Sequence, residues 1–180
     1  MKRLLPALVV ALVVVLNPYA TLAKTADDYY SEAALAIDEF LWWGDTDSVK
    51  EAIRYLDKAI DLNPRYVDAY LDRGFCHNML GNYKQAITDC SKAIELKPGE
   101  ADAYVERGGA YYQLQNPQQA IRDFNKAIEL GTKRSSAYLG RGFSYYSLGR
   151  HQQGINDIKT AAKMGNERAQ EFLRKKVIQW

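Results

Sequence analysis

Between Val67 and Lys163, apolar and small residues recur at three- and four-residue steps, as in Tyr70, Gly74 and His77 and then Ala86, Cys90 and Ala93. That spacing lines one face of a helix with about 3.6 residues per turn. Each unit carries it twice, so the pattern predicts pairs of amphipathic helices. The whole pattern then recurs at a period of 34 residues: Tyr70, Tyr104 and Tyr138 coincide, as do the pairs Arg73-Gly74, Arg107-Gly108 and Arg141-Gly142, and then Ala86, Ala120 and the variant Gly154.

The helix ends are encoded locally. Gly81-Asn82, Asn116-Pro117 and Gly149-Arg150 fall between the two helices of a unit, and Asn116 is placed to cap a helix whose first residue, Pro117, has no amide hydrogen to leave unpaired. Pro64 and Pro98 break the chain before the next unit. Gly131 and Gly165 serve the same end by permitting a left-handed terminus.

This pattern resembles the tetratricopeptide repeat, with Tyr104, Gly108, Tyr111, Ala120, Phe124 and Ala127 forming the most complete set. Units 67–100, 101–134 and 135–168 match strongly, and 27–66 reads as a divergent first repeat. Its second helix keeps Ala52, Leu56, Ala59 and Pro64, whereas its first, "DDYYSEAALAIDEFLWWGD", lacks the Arg-Gly pair. The resemblance implies an all-α, right-handed superhelical solenoid of about four antiparallel helix pairs. Residues 167–178 would cap its end, with Ala169, Phe172, Leu173 and Ile178 turned inward.

The small residues have a physical task. Gly74, Gly108 and Gly142 are expected to face Ala86, Ala120 and Gly154 across each pair, letting the axes approach to about 8 Å. Arg73, Arg107 and Arg141 are matched by Asp89, Asp123 and Asp157, which suggests an ion-pair ladder between helices.

The N-terminus reads differently. Lys2 and Arg3 precede an apolar run from Leu4 to Leu16, then Asn17-Pro18 and small residues before Lys24. Residues 1–23 are expected to be a secretory signal peptide cut after Ala23, with Ala20 as an alternative, and residues 24–180 the mature solenoid. An uncleaved anchor is the competing reading, although the run falls short of the roughly 20 residues that span a bilayer. No Asn-x-Ser/Thr sequon occurs, which points to a bacterial periplasm, or secretion, as the destination.

Without residues 1–23, 22 basic residues balance 22 acidic ones, so neither nucleic acid nor a membrane is an expected partner. Arg168, Arg174, Lys175 and Lys176 are the one basic concentration, read as a solvated cap. Catalysis has no starting point: His77 and His151 lie in different repeats, and no metal-ligand spacing or phosphate loop is present, so no catalytic, cofactor-binding or metal residue is assigned. His77 occupies the place of Tyr111 and Tyr145 and reads as a packing residue. Cys76 and Cys90 would meet an oxidising compartment, yet helical geometry turns them to different faces. Two free buried thiols are favoured, with a disulfide still open.

In such a stack the first helices line a concave side. The stripe opposite the packing face comprises Leu71, Asp72, Phe75, Asn78 and Met79, then Val105, Glu106, Gly109, Tyr112 and Gln113, then Leu139, Phe143 and Tyr146. Phe75 and Phe143 are expected to flank Gly109 and leave a dip there. Tetratricopeptide proteins of the chaperone-cofactor type grip a C-terminal carboxylate with Lys and Asn in this groove; Leu71, Phe75, Val105, Leu139 and Phe143 stand where those would be expected, which argues against that subclass. Asp68, Asp72, Asp102 and Glu106 give an acidic edge. The first expectation is a non-catalytic scaffold that binds a protein or peptide, apolar with basic flanks. The alternative is a self-associating envelope component acting through its terminal repeats, with Trp42, Trp43 and Trp180 as contacts.

Overall fold

A computed structural model describes residues 23–176, and these contain nine helices joined by short turns. In chain order they are α1 (Ala26–Trp43), α2 (Thr46–Leu62), α3 (Val67–Met79), α4 (Tyr83–Leu96), α5 (Ala101–Gln113), α6 (Pro117–Glu129), α7 (Ser135–Ser147), α8 (His151–Lys163) and α9 (Glu167–Lys175). The expected cleavage site just precedes the first helix. Nearly all of the expected signal peptide, and with it Ile178 and Trp180, lies outside the described residues.

Each odd-numbered helix up to α7 packs on the helix that follows it, forming four hairpins, and α9 closes the last. The second helix of each hairpin also touches the first helix of the next. In addition α3 lies against α5 and α5 against α7, so these three odd helices form one continuous wall. This is the all-helical solenoid that the repeat predicts.

The ends are fixed as the local chemistry requires. Thr25 and Asp28 form a reciprocal capping box at the start of α1, and Asn116 Oδ1 accepts the Gln119 amide proton at 3.3 Å at the start of α6. Gly131 and Gly165 adopt φ of 79° and 87° after α6 and α8, a backbone region that side chains disfavour. Between the helices of a hairpin, Gly81 and Gly149 are left-handed as well, whereas the third member of that series, Gln115, takes φ of 57° without being glycine.

The glycines of the repeat sit where the helices come closest. A Cβ added at Gly74 would stand 2.7 Å from Cys90 Sγ, and one at Gly108 would stand 3.0 to 3.2 Å from three atoms of the Phe124 ring. One at Gly142 would stand 2.9 Å from the Gly154 carbonyl oxygen. Ala86, whose carbonyl oxygen would lie 3.5 Å from a Cβ at Gly74, and Ala120 are fully buried, but the group nearest Gly108 is the Phe124 ring rather than the expected Ala120. At position 154 even alanine is excluded, because its Cβ would meet the Gly142 carbonyl oxygen at 2.6 Å. Phe124, 2% exposed, fills the centre of the third hairpin, a burial that contributes on the order of 2 to 3 kcal/mol.

An ion ladder runs along the seam. Arg73, Arg107 and Arg141 each donate two hydrogen bonds to Asp89, Asp123 and Asp157, at 2.7 to 2.9 Å. Each guanidinium also covers the ring of Tyr70, Tyr104 or Tyr138 at 5.6 to 5.7 Å. Its remaining nitrogen reaches back one repeat, to Asp57 at 2.6 Å, Ser91 at 3.0 Å and Asn125 at 2.8 Å. The arginines therefore tie successive hairpins together as well as the two helices within each one.

Cys76 and Cys90 are both free and buried. Burial pushes the Cys76 thiol up to about 12 and the Cys90 thiol further, so both stay protonated and inert. His77 is half-buried with Nε2 3.8 Å from Asp89 Oδ2, and burial holds its pKa below the ordinary histidine value.

Candidate functional site

The wall of odd helices carries a furrow made of three recesses that share lining residues. The central one, a hollow of about 350 Å³, is bounded by Phe75 and Met79 of α3, Tyr112 of α5, Phe143 of α7 and Arg168 of α9. Gly109 lies in it, and a Cβ built there meets nothing within 4 Å. Towards α1 a second recess includes Ile37, Leu71, Asp72 and Asp102. Towards the opposite helix ends a more polar one, of about 480 Å³, is lined by Tyr112, Gln113, Gln115, Pro117 and Ser147.

Phe124 explains the depth of the hollow. Its ring reaches through the wall from α6, because both residues it passes, Gly108 and Gly140, lack side chains; a Cβ at Gly140 would run into the ring itself. In the preceding repeat the residue aligned with Phe124 is Cys90, and the residue aligned with Gly140 is Glu106. A small residue is therefore followed by a large neighbour, and a large residue by none. Gly140 is invisible to a reading by repeated positions, and this inverse pairing sixteen residues apart is the signal that would have found it.

Three of the expected stripe residues are not exposed. Val105, Glu106 and Leu139 are 5%, 8% and 6% accessible. The reason is the side-by-side contact of α3, α5 and α7, which covers Val105 and Leu139, the positions after Tyr104 and Tyr138, while Leu71 after Tyr70 stays partly open. Val105 joins Phe124 and Ala137 in one core cluster, and Leu139 joins Ile158, Ala169 and Leu173 in another. They form the furrow's foundation, and only their edges reach the hollow.

The aromatic rings are partly occupied as well. Phe143 meets Phe172 of α9 edge-on at 5.4 Å, and Tyr146 contacts Phe172 at 5.8 Å and His151 at 4.4 Å. Phe75 packs against the first-hairpin core and Tyr112 against the third. All four remain half-buried, with Met79 and Gln113 exposed and Leu71, Asp72, Asn78 and Gly109 intermediate.

The acidic edge is corrected in the same way. Arg134, just before α7, donates to Glu106 at 2.7 Å and stands 3.8 Å from Asp102, and Asn78 donates to the Glu106 carboxylate and carbonyl oxygens at 3.0 Å. Two of the four acids are thus answered internally. Asp72 accepts the Tyr30 hydroxyl proton at 2.8 Å, and burial, with Asp68 and Glu106 adding repulsion, lifts its carboxyl above the ordinary carboxylate range. At the other end Arg168 lies 5.5 Å over the Phe143 ring. Arg134 and Arg168 share the last position of units 101–134 and 135–168, but Glu100 holds that position in the preceding unit, so no common residue marked it as part of the site.

The tetratricopeptide repeat family model matches residues 67–100 and 101–130. No curated protein matches the chain. Among solved structures, one of MamA is 22% identical and superposes with a TM-score of 0.68, over 89% of this chain and 86% of that one. A MamA structure from Desulfovibrio magneticus RS-1 is 20% identical, with a TM-score of 0.66 over 81% and 77%. The tetratricopeptide domain of Arabidopsis OM64 is 23% identical, with a TM-score of 0.61 over 68% and 95%. At these identities the structures share the fold. Two tetratricopeptide repeats therefore occupy residues 67–130, and the chain as a whole has the fold of the helical solenoids built from that repeat.

Proposed function

We propose that this chain is a non-catalytic, exported scaffold that holds a segment of another protein in the furrow. The observation that carries this reading is the hollow at Gly109, an aromatic-walled concavity whose floor the chain's own side chains leave open. Its occupant is an apolar side chain from an extended or helical segment. Asp68 and Asp72 favour a basic residue at the α3 end of that segment. The expectation of basic flanks on both sides is narrowed, since Arg134 already serves Glu106 and Asp102, and Arg168 at the far end favours a carboxylate.

Gly109→Leu tests the reading cleanly. The new side chain enters open space, so the fold is retained, and leucine is a better helix former than glycine by roughly 0.8 kcal/mol. Partners captured from envelope extract by the wild type should be lost from this variant while its melting temperature holds or rises. Equal capture by both removes the furrow from the account.

Export is part of the same proposal and rests on Lys2, Arg3 and the apolar run Leu4 to Leu16. Intact-mass measurement of the protein from its own cells should show a start at Lys24. A chain retaining those residues is an anchored protein instead.

A further inference from the structure

The charges of this molecule are segregated along the solenoid. Residues 23–63, which form α1 and α2, carry ten acidic and four basic residues, a net charge of −6. Residues 132–176, which form α7 to α9, carry ten basic and three acidic residues, a net charge of +7. The two central hairpins between them, residues 64–131, are nearly balanced at −1. The near-neutrality of the chain therefore conceals two strongly charged ends of opposite sign.

The acidic end also presents unburied apolar surface. Leu41, Trp42 and Trp43 are 62%, 82% and 84% exposed at the tip of α1, and exposed acids (Asp38, Glu39 and Asp45) surround them. An apolar centre with a charged rim is the anatomy of a docking patch. At the opposite end of the chain the exposed residues Arg174, Lys175 and Lys176 close α9.

We propose that the acidic, tryptophan-bearing first hairpin of one copy docks on the basic last hairpin and cap helix of a second copy, head to tail. Charge complementarity selects the occupant: the surface that best matches a −6 end is a +7 end, and this chain supplies it at equal concentration. Because the patches differ, each docked copy keeps one end open, and the contact propagates rather than closing on a symmetric dimer. The proposal rests on the charges of the two ends and the exposed tryptophans, and not on the occupant proposed for the furrow.

The test uses the protein as purified from cells expressing the full chain, by sedimentation over a range of concentrations and salt. At about 20 mM salt the average mass should rise past two copies with concentration, and at about 500 mM the association should weaken by about tenfold or more. Reversing one end, with Asp38→Lys and Glu39→Lys, or the other, with Arg174→Glu, Lys175→Glu and Lys176→Glu, should each abolish it. All these positions are exposed, so unchanged melting curves serve as the control. Mixing the two variants in equal amounts should restore a contact between the intact acidic end of one and the intact basic end of the other, giving one pair. Three outcomes overturn the proposal: a monomer at every low-salt concentration, an association indifferent to both reversals, or a mass that stops at two copies and needs only Trp42 and Trp43.

Discussion

The hairpins α1–α2 and α5–α6 meet the same packing demand with different residues. In α5–α6 a missing side chain at Gly108 admits the Phe124 ring, and the paired Arg107 and Asp123 lock the seam. In α1–α2 the seam is lined by buried alanines, Ala33 and Ala36 against Ala52, Leu56 and Ala59, and α1 contributes no arginine to the ladder. The first hairpin takes part in that ladder only as an acceptor, through Asp57. A hairpin with neighbours on both sides has its geometry fixed from both, and glycine, ring and ion pair all serve close approach. A terminal hairpin has one free side, and there the sequence is released to carry exposed tryptophans and acids.

Overpacking an interior seam should have the largest effect. Gly108→Leu places bulk against a ring that is 2% exposed and walled in by the next repeat, and it should lower stability by about 3 kcal/mol in chemical denaturation. The neighbouring Gly109→Leu should cost nothing. Equal melting temperatures for these two variants would mean that the seams are not sites of close approach.

Breaking the ladder comes next. Asp123→Ala strands a guanidinium that is one-fifth exposed, so the loss should fall near 2 kcal/mol, below the figure of about 3 to 5 for fully buried pairs. Asp57→Ala removes the first hairpin's acceptor, which is half exposed, and should cost under about 1 kcal/mol. Equal losses at the two positions would erase the distinction between interior and terminal hairpins.

The parts of this molecule that were legible in advance are those each repeat states for itself. Helix spacing, the capping Asn116, the small residues and the Arg–Asp pairs are all local or separated by sixteen residues, and most of them appear several times. What one repeat does to another was not legible. A helical wheel drawn on α5 alone puts Val105 and Glu106 on its free face, and only the contact of α5 with α3 and α7 buries them. The same holds at the last hairpin, where Phe172 of the cap covers rings that the repeat by itself would leave bare. Gly140 escaped notice because it departs from Glu106 one repeat earlier, and Arg134 because Glu100 precedes it at a position where only Arg168 repeats it; such variable positions are where this furrow acquires its shape and charge.

The smallest effect concerns the joint between the two regions. Asp72 of α3 is held by the Tyr30 hydroxyl of α1, and burial raises its pKa above the unfolded value. A carboxyl with a raised pKa in the folded state penalises folding when it is ionised. The penalty is present at neutral pH and is relieved as pH falls through the folded pKa towards the unfolded one. An asparagine amide in its place could still accept the tyrosine proton through its own oxygen, so Asp72→Asn should stabilise the protein at pH 7 by under about 1 kcal/mol. The gain should shrink on acidification and vanish below the ordinary aspartate value of 3.8. Denaturation curves of both proteins between pH 3 and pH 7 measure this directly. A variant less stable at pH 7 would show instead that the Tyr30 bond draws its strength from the ionised carboxylate, and that the first hairpin is anchored to the regular repeats by charge.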